Sequence, residues 1–243
     1  GVLSAVILYF VAQKFKVEED PRIDEVEKML PGANCGGCGF AGCRGMAEAF
    51  VKQGNMEGLS CPAGGPAVAE KVAALLGCVA EATEPKVAVV RCNGSCANAP
   101  AKSHYDGLKD CAFAHSLFNG ESGCVFGCLG LGSCANSCQF GGLTIDPETG
   151  LPVVDENLCT GCGGCVKACP RGLIELRNKG KNNRRVYVAC RNQEKGGVAR
   201  KACSAACIGC GKCQKVCPFG AITVEKNLAY IDFNLCKSCR KCE

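Results

Sequence analysis

Tryptophan is absent from this chain and aromatic residues make up only 6% of it, so few large side chains are at hand to fill a core. Histidine is nearly absent too. His104 and His115 are the only two, neither stands in a metal-ligand spacing, and both read as surface or packing groups. No apolar run reaches the roughly 20 residues of a bilayer span. There is no Walker loop, dinucleotide fingerprint, Ser-His-Asp set or paired-carboxylate motif, which leaves no catalytic residues for a substrate reaction within the chain itself. The glycine-rich CGGCGFAGC lacks the G-x-G-x-x-G register. Basic residues are not interleaved with aromatics in any nucleic-acid motif, so a nucleic-acid partner is not expected.

What the chain has is cysteine: 25 in 243 residues, beside 32 glycines. The stretch CTGCGGCVKACP organises the rest. Cys159, Cys162 and Cys165 let one tight loop wrap three corners of a cubane, and Cys169 follows, capped by Pro170. This is the bacterial ferredoxin run, whose fourth cysteine serves the other cluster of a pair. Structural zinc instead takes cysteines two at a time from separated knuckles. A disulfide framework fits poorly, because C-x-x-C triples place neighbouring thiols for metal and the total is odd. With so little core, clusters supply much of the cohesion, and their thiolates imply a reducing compartment. The formal charge of +5 counts every cysteine as neutral. An oxidised cubane with four thiolates carries about −2, so about five of them bring the total near −5.

The apolar opening GVLSAVILYFVA, followed by Lys14 and Lys16, reads as part of a membrane anchor (1–17) with the rest of the chain on the cytoplasmic side. A buried soluble helix is the rival reading. Residues 18–80 form a small helical module. EEDPRIDEVEKML reads as an acidic linker and then a helix with Ile23, Val26 and Leu30 on one face, stopped at Pro31-Gly32. Helices follow over 44–53 and 66–76. Cys35, Cys38, Cys43 and Cys61 form one closed set for a single [4Fe–4S] cluster, and the glycines between them permit the positive φ a loop needs to bend round it.

Beyond this module the sequence repeats. Cys124–Ile145 aligns without gaps on Cys203–Val224, so that Cys124, Cys128, Cys134 and Cys138 match Cys203, Cys207, Cys213 and Cys217, with Leu131 where the second copy has Cys210. Each motif leads through a hairpin pattern, LTIDPETGLPVV or ITVEKNLAYI, into a second cysteine triple. The pattern predicts tandem two-cluster units at 81–189 and 190–243. By the fourth-cysteine rule, Cys159, Cys162 and Cys165 close with Cys138, and Cys169 crosses back to Cys124, Cys128 and Cys134. Cys236, Cys239 and Cys242 close with Cys217. Cys207, Cys210 and Cys213 then require a fourth ligand, either Cys203 or a cysteine beyond Glu243, and the second is preferred. Cys92, Cys96 and Cys111 are a candidate for another cluster that no spacing rule backs, Cys190 follows a valine-rich segment as Cys92 does, and Cys78 reads as a small buried residue. The expected fold is α+β, with about five [4Fe–4S] clusters.

The apolar start, the CGGCGFAGC…CP module and the tandem ferredoxin motifs occur in that order, and the most specific parts are Cys35–Cys61, CVFGCLGLGSC and CTGCGGCVKACP. Together they resemble the B subunit of the Rnf complex, a membrane-bound ferredoxin:NAD+ oxidoreductase, over nearly the whole chain. The resemblance implies an electron carrier on the cytoplasmic face of the cell membrane, anchored by one N-terminal helix. It would take electrons from reduced ferredoxin toward membrane subunits of an ion-pumping complex. The short anchor and the last motif, which stops without its Cys-Pro, depart from the pattern and imply truncation at both ends. An iron–sulfur subunit of a corrinoid methyl-transfer system and a soluble polyferredoxin are the alternatives. The first lacks its barrel and cobalamin domain here, and the second leaves the apolar start unexplained.

Overall fold

The computed structural model describes residues 2–14, 20–80, 84–180 and 183–243. Its first helix, α1 (Val2–Lys14), is apolar on all sides, and Leu8, Tyr9 and Phe10 are exposed. Thirteen residues rise about 20 Å, against roughly 30 Å of bilayer hydrocarbon. Among the described residues no helix is long and apolar enough to cross a membrane.

Three helices then close a small core. α2 (Arg22–Met29) turns Val26 inward, with Leu30 just past its end. α3 (Cys43–Gln53) buries Met46, Ala47, Phe50 and Val51, and α4 (Gly65–Leu76) adds Val72 and Ala73. These apolar positions recur at helical spacing, as the sequence pattern requires. α3 and α4 end at Gly54 and Gly77, both left-handed, which is the usual stop for a helix lacking a side-chain cap. Cys38, Cys43 and Cys61 pack on the edge of this core.

The next unit is built from paired strands with short helices between them. β1 (Lys86–Val90) leads to α5 (Cys111–Phe118) and α6 (Ser133–Asn136). The hairpin β2 (Leu143–Ile145) and β3 (Pro152–Val154) follows, then α7 (Gly164–Ala168) and β4 (Ile174–Asn178). The hairpin is antiparallel, with Leu143 opposite Val154. Its turn is fixed by Asp146, whose carboxylate accepts from the Thr149 hydroxyl at 2.6 Å and the Glu148 amide at 3.1 Å. β1 and β4, far apart in sequence, pair antiparallel from Lys86–Asn178 to Val90–Ile174. The apolar faces of both sheets meet around Ala88, Leu143 and Ile174, beside Cys134 and Cys165.

The last unit holds α8 (Gly196–Ala202), α9 (Lys212–Val216) and the hairpin β5 (Ile222–Glu225) and β6 (Leu228–Ile231). Lys226 and Asn227 take positive φ, as a two-residue hairpin loop demands. β4 pairs with β1, and residues 186–190 make no strand.

Two buried arginines tie the two units together. Arg177, only 1% exposed, pairs with Glu175 at 2.6 Å and donates to the carbonyls of Ile231 at 3.0 Å and Val186 at 3.3 Å. Arg91 lies over the Tyr230 ring at 4.9 Å, and Arg177 lies over it at 5.4 Å. Arg177→Met would leave the Ile231 carbonyl unpaired and Glu175 with only Arg91, 3.5 Å away. Removing one partner of a buried pair costs about 3 kcal/mol or more. The expected result is a lower thermal midpoint for loss of the second unit's structure, read by near-UV circular dichroism.

Candidate functional site

Most of the cysteines gather in separate cavities, and none of the 25 is joined in a disulfide. In the N-terminal module, Cys35, Cys38, Cys43 and Cys61 line a cavity of about 330 Å³. Asn34 shapes this loop: it takes a positive φ of 47°, and its side-chain oxygen accepts from the Cys43 amide at 2.8 Å. Burial pushes the Cys61 thiol up.

In the unit of β1 to β4, Cys138, Cys159, Cys162 and Cys165 line one cavity. Burial, followed by the neighbouring thiols, pushes Cys165 up to about 12. A second cavity of about 350 Å³ is lined by Cys111, Cys128, Cys134 and Cys169. Burial likewise pushes Cys128 up to about 12 and Cys134 to about 11. Sulfurs so placed carry negative charge only if positive irons compensate it. Backbone amides already aim at two of them: Gly130 at the Cys128 sulfur (3.4 Å) and Leu173 at the Cys169 sulfur (3.3 Å).

The grouping differs from the expected one at Cys124, whose place beside Cys128, Cys134 and Cys169 is taken by Cys111. Leu131 leaves the motif one cysteine short, and a long-range contact fills the gap. Asp110 caps α5 by accepting from the Phe113 amide at 3.0 Å, and it also accepts from the Ser133 hydroxyl at 2.9 Å. Ser133 in turn accepts from the Cys111 amide at 2.7 Å, which brings Cys111 to the start of α6 beside Cys134. Cys124 instead turns toward Cys92, Cys190 and Cys203. The suggested trio of Cys92, Cys96 and Cys111 is therefore split among different places, and Cys96 is exposed.

In the second unit, Cys217, Cys236, Cys239 and Cys242 line about 320 Å³. Cys213 has Cys207 and Cys210 as its thiol neighbours. Cys210 and Cys239 are exposed, whereas Cys134 and Cys165 are buried. Cys78 sits just past α4, packed against the N-terminal core.

Among the described residues, no three cysteine, histidine or acidic side chains converge closely enough to hold one metal ion. A zinc site would need its thiolates all about 2.3 Å from one centre. A cubane takes one thiolate at each of four separate irons, and an all-cysteine donor set with N–H groups on the sulfurs fits it.

The comparisons agree with this chemistry. The family model of a 4Fe-4S dicluster domain matches residues 123–173 and again 158–221, and a model for an Fe-S cluster matches residues 30–63. The B subunit of the Na(+)-translocating ferredoxin:NAD(+) oxidoreductase complex of Acetobacterium woodii is 45% identical over all of this chain and 71% of its own length. The B subunit of the proton-translocating ferredoxin:NAD(+) oxidoreductase complex of Clostridium ljungdahlii is 46% identical over 98% of this chain and 83% of its own length. The B subunit of the ion-translocating oxidoreductase complex of Methanosarcina acetivorans is 44% identical over all of this chain and 90% of its own length. With relatives this similar from end to end, and iron–sulfur domains where its cysteines gather, the chain belongs to the B-subunit family of the Rnf ion-translocating oxidoreductases.

Proposed function

We propose that this chain carries electrons from reduced ferredoxin toward the membrane part of a ferredoxin:NAD+ oxidoreductase complex. The observation that carries the reading is the gathering of cysteines by fours in separate cavities. The sets are Cys35, Cys38, Cys43 and Cys61; Cys138, Cys159, Cys162 and Cys165; Cys111, Cys128, Cys134 and Cys169; and Cys217, Cys236, Cys239 and Cys242. Cys207, Cys210 and Cys213 supply three corners of a further site. Bound there, [4Fe–4S] clusters supply one-electron chemistry at potentials set by charge, hydrogen bonds to sulfur and exposure. The chain's own residues hold the sulfurs, aim amides at them and keep water from the buried ones. α1 is the attachment to the membrane side, where its exposed apolar residues find cover.

The exposed cysteines of the second unit make it the face for a soluble partner. Lys212, Lys215, Lys237, Arg240 and Lys241 are all exposed around Cys210 and Cys239. An acidic ferredoxin would be steered to such a face. The basic residues after β4 serve less well: Lys179 and Arg185 both turn to Glu156. Reversing charge at Lys212, Lys237 and Lys241 is expected to slow reduction by ferredoxin roughly tenfold or more at low salt, with the gap closing at high salt. Stopped-flow bleaching of the cluster absorbance measures it. A purified protein that ferredoxin cannot reduce, or that holds zinc in place of iron, would overturn the proposal.

A further inference from the structure

We infer that Cys92, Cys124, Cys190 and Cys203 hold a [4Fe–4S] cluster of their own, at the junction of the two ferredoxin-like units. The inference rests on reading the other four-cysteine cavities as cluster sites. These four come from widely separated segments: Cys92 follows β1, Cys124 opens the first cysteine motif, Cys190 follows Val186–Ala189, and Cys203 ends α8. No motif links them, yet they line one cavity, as the other sets of four do. Cys124 and Cys203 are each only 6% exposed.

The surroundings suit thiolates bound to a cluster. The amides of Gly94 and Cys128 both point at the Cys92 sulfur at 3.4 Å, and the Asn192 amide points at Cys190 at 3.4 Å. The Asn192 side chain, 1% exposed, donates to the Cys124 sulfur at 3.4 Å. Its orientation is fixed because its own oxygen accepts from the Glu194 amide at 2.7 Å. Neutral thiols are weak acceptors, and four N–H groups aimed at three sulfurs would stabilise them as thiolates. Much of the remaining wall is Ala99, Phe126, Ala189, Ala205 and Ala206, and no carboxylate or imidazole lines the cavity to compete for a metal. Arg171 donates to the carbonyls of Cys124 and Gly127, setting a cation between this cavity and the Cys128 site.

Loading requires a preassembled [4Fe–4S]2+ cluster from a donor protein. Four S–H bonds here and four Fe–S bonds to the donor's thiolates break, and the four protons pass to those thiolates. Four Fe–S bonds form in the cavity, no electron changes hands, and the cluster with its four thiolates carries about −2. Ser204, next to Cys203, donates from its hydroxyl to the Asn98 side chain at 2.9 Å and from its amide to the Asn98 carbonyl at 2.8 Å. These bonds hold the start of the second unit against the Cys92 loop.

Iron and sulfide are measured on the anaerobically purified chain and on Cys92→Ser, Cys190→Ser and the double variant. Each is expected to lose about four iron atoms, and the double no more than either single, because all belong to one cubane. Asn192→Leu provides a second measurement that does not depend on ligand loss. It should keep all its iron while one EPR-monitored midpoint moves to a more negative potential, because a hydrogen bond to sulfur is gone. Unchanged iron in both cysteine variants, with no midpoint moved in Asn192→Leu, overturns the inference. So does zinc recovered in place of the missing iron. Cys38→Ser separates the two readings: if it loses one cluster while Cys92→Ser loses none, only this site is wrong. An iron-free wild-type protein would end both.

Discussion

Cys111→Ser is expected to remove one complete cluster, about four iron atoms, from the first ferredoxin-like unit. Cys111 stands outside every ferredoxin spacing, yet it lines one cavity with Cys128, Cys134 and Cys169. Its place is fixed by the Ser133 hydroxyl and, through it, by Asp110. The double-variant pattern assigns it. Cys111→Ser with Cys128→Ser should lose no more iron than either alone, since both act on one site. Cys111→Ser with Cys124→Ser should lose about eight iron atoms, because the two cysteines belong to different cavities. If the second pair lost only about four, Cys124 would belong with Cys128, Cys134 and Cys169, as the spacing rule expects. Conversion to a three-iron cluster, seen by EPR in the oxidised protein, would also place Cys111 on that site.

Local rules carried the reading wherever the chain's own neighbours decide the structure. The apolar spacing of Val26 and Leu30 marked a helix that α2 forms, and the helices expected over 44–53 and 66–76 lie within one residue of α3 and α4. The Asp146–Gly150 turn was legible because its hydrogen bonds lie within four residues. The tight triples identified the cluster loops for the same reason. What could not be read locally was decided by distant partners. β1 finds β4 some ninety residues on. Arg177, whose role is to cross from one unit to the other, reads in sequence as one more surface charge. Cys111, Cys92 and Cys190 were left over because the cysteines beside them in the structure lie in other segments. One signal bore on Cys111: Leu131 stands where the second copy has Cys210, which leaves room for a remote thiol beside Cys128 and Cys134.

Gly37→Val is expected to leave every cluster in place and yet separate the N-terminal module from the first ferredoxin-like unit. The glycines flanking Cys38 do not all serve the same purpose. Gly36 and Gly39 take positive φ, as a loop bending round a cluster requires, but Gly37 does not. Its reason is contact: a Cβ there would lie 2.5 Å from the Cys162 carbonyl oxygen and 2.9 Å from the Cys162 Cα. Two cluster-binding loops therefore meet backbone to backbone, Cys35–Cys38 on Cys159–Cys165, and glycine is what permits the approach. One further bond holds them, from the Lys167 ammonium to the Gly36 carbonyl at 3.1 Å. Because backbone cannot yield as a side-chain tip can, a branched residue costs about 1–3 kcal/mol. The module keeps a core of its own around Phe50 and Val72, so the strain is relieved by parting the contact, not by unfolding. Iron content should stay at the wild-type value, while spin–spin coupling between the module's reduced cluster and its neighbour weakens and their electron equilibration slows. Gly37→Ala should fall between wild type and valine, and adding Lys167→Ala to Gly37→Val should weaken the coupling further. Coupling that stayed at the wild-type level in that double variant would mean that the two sites do not communicate through this contact.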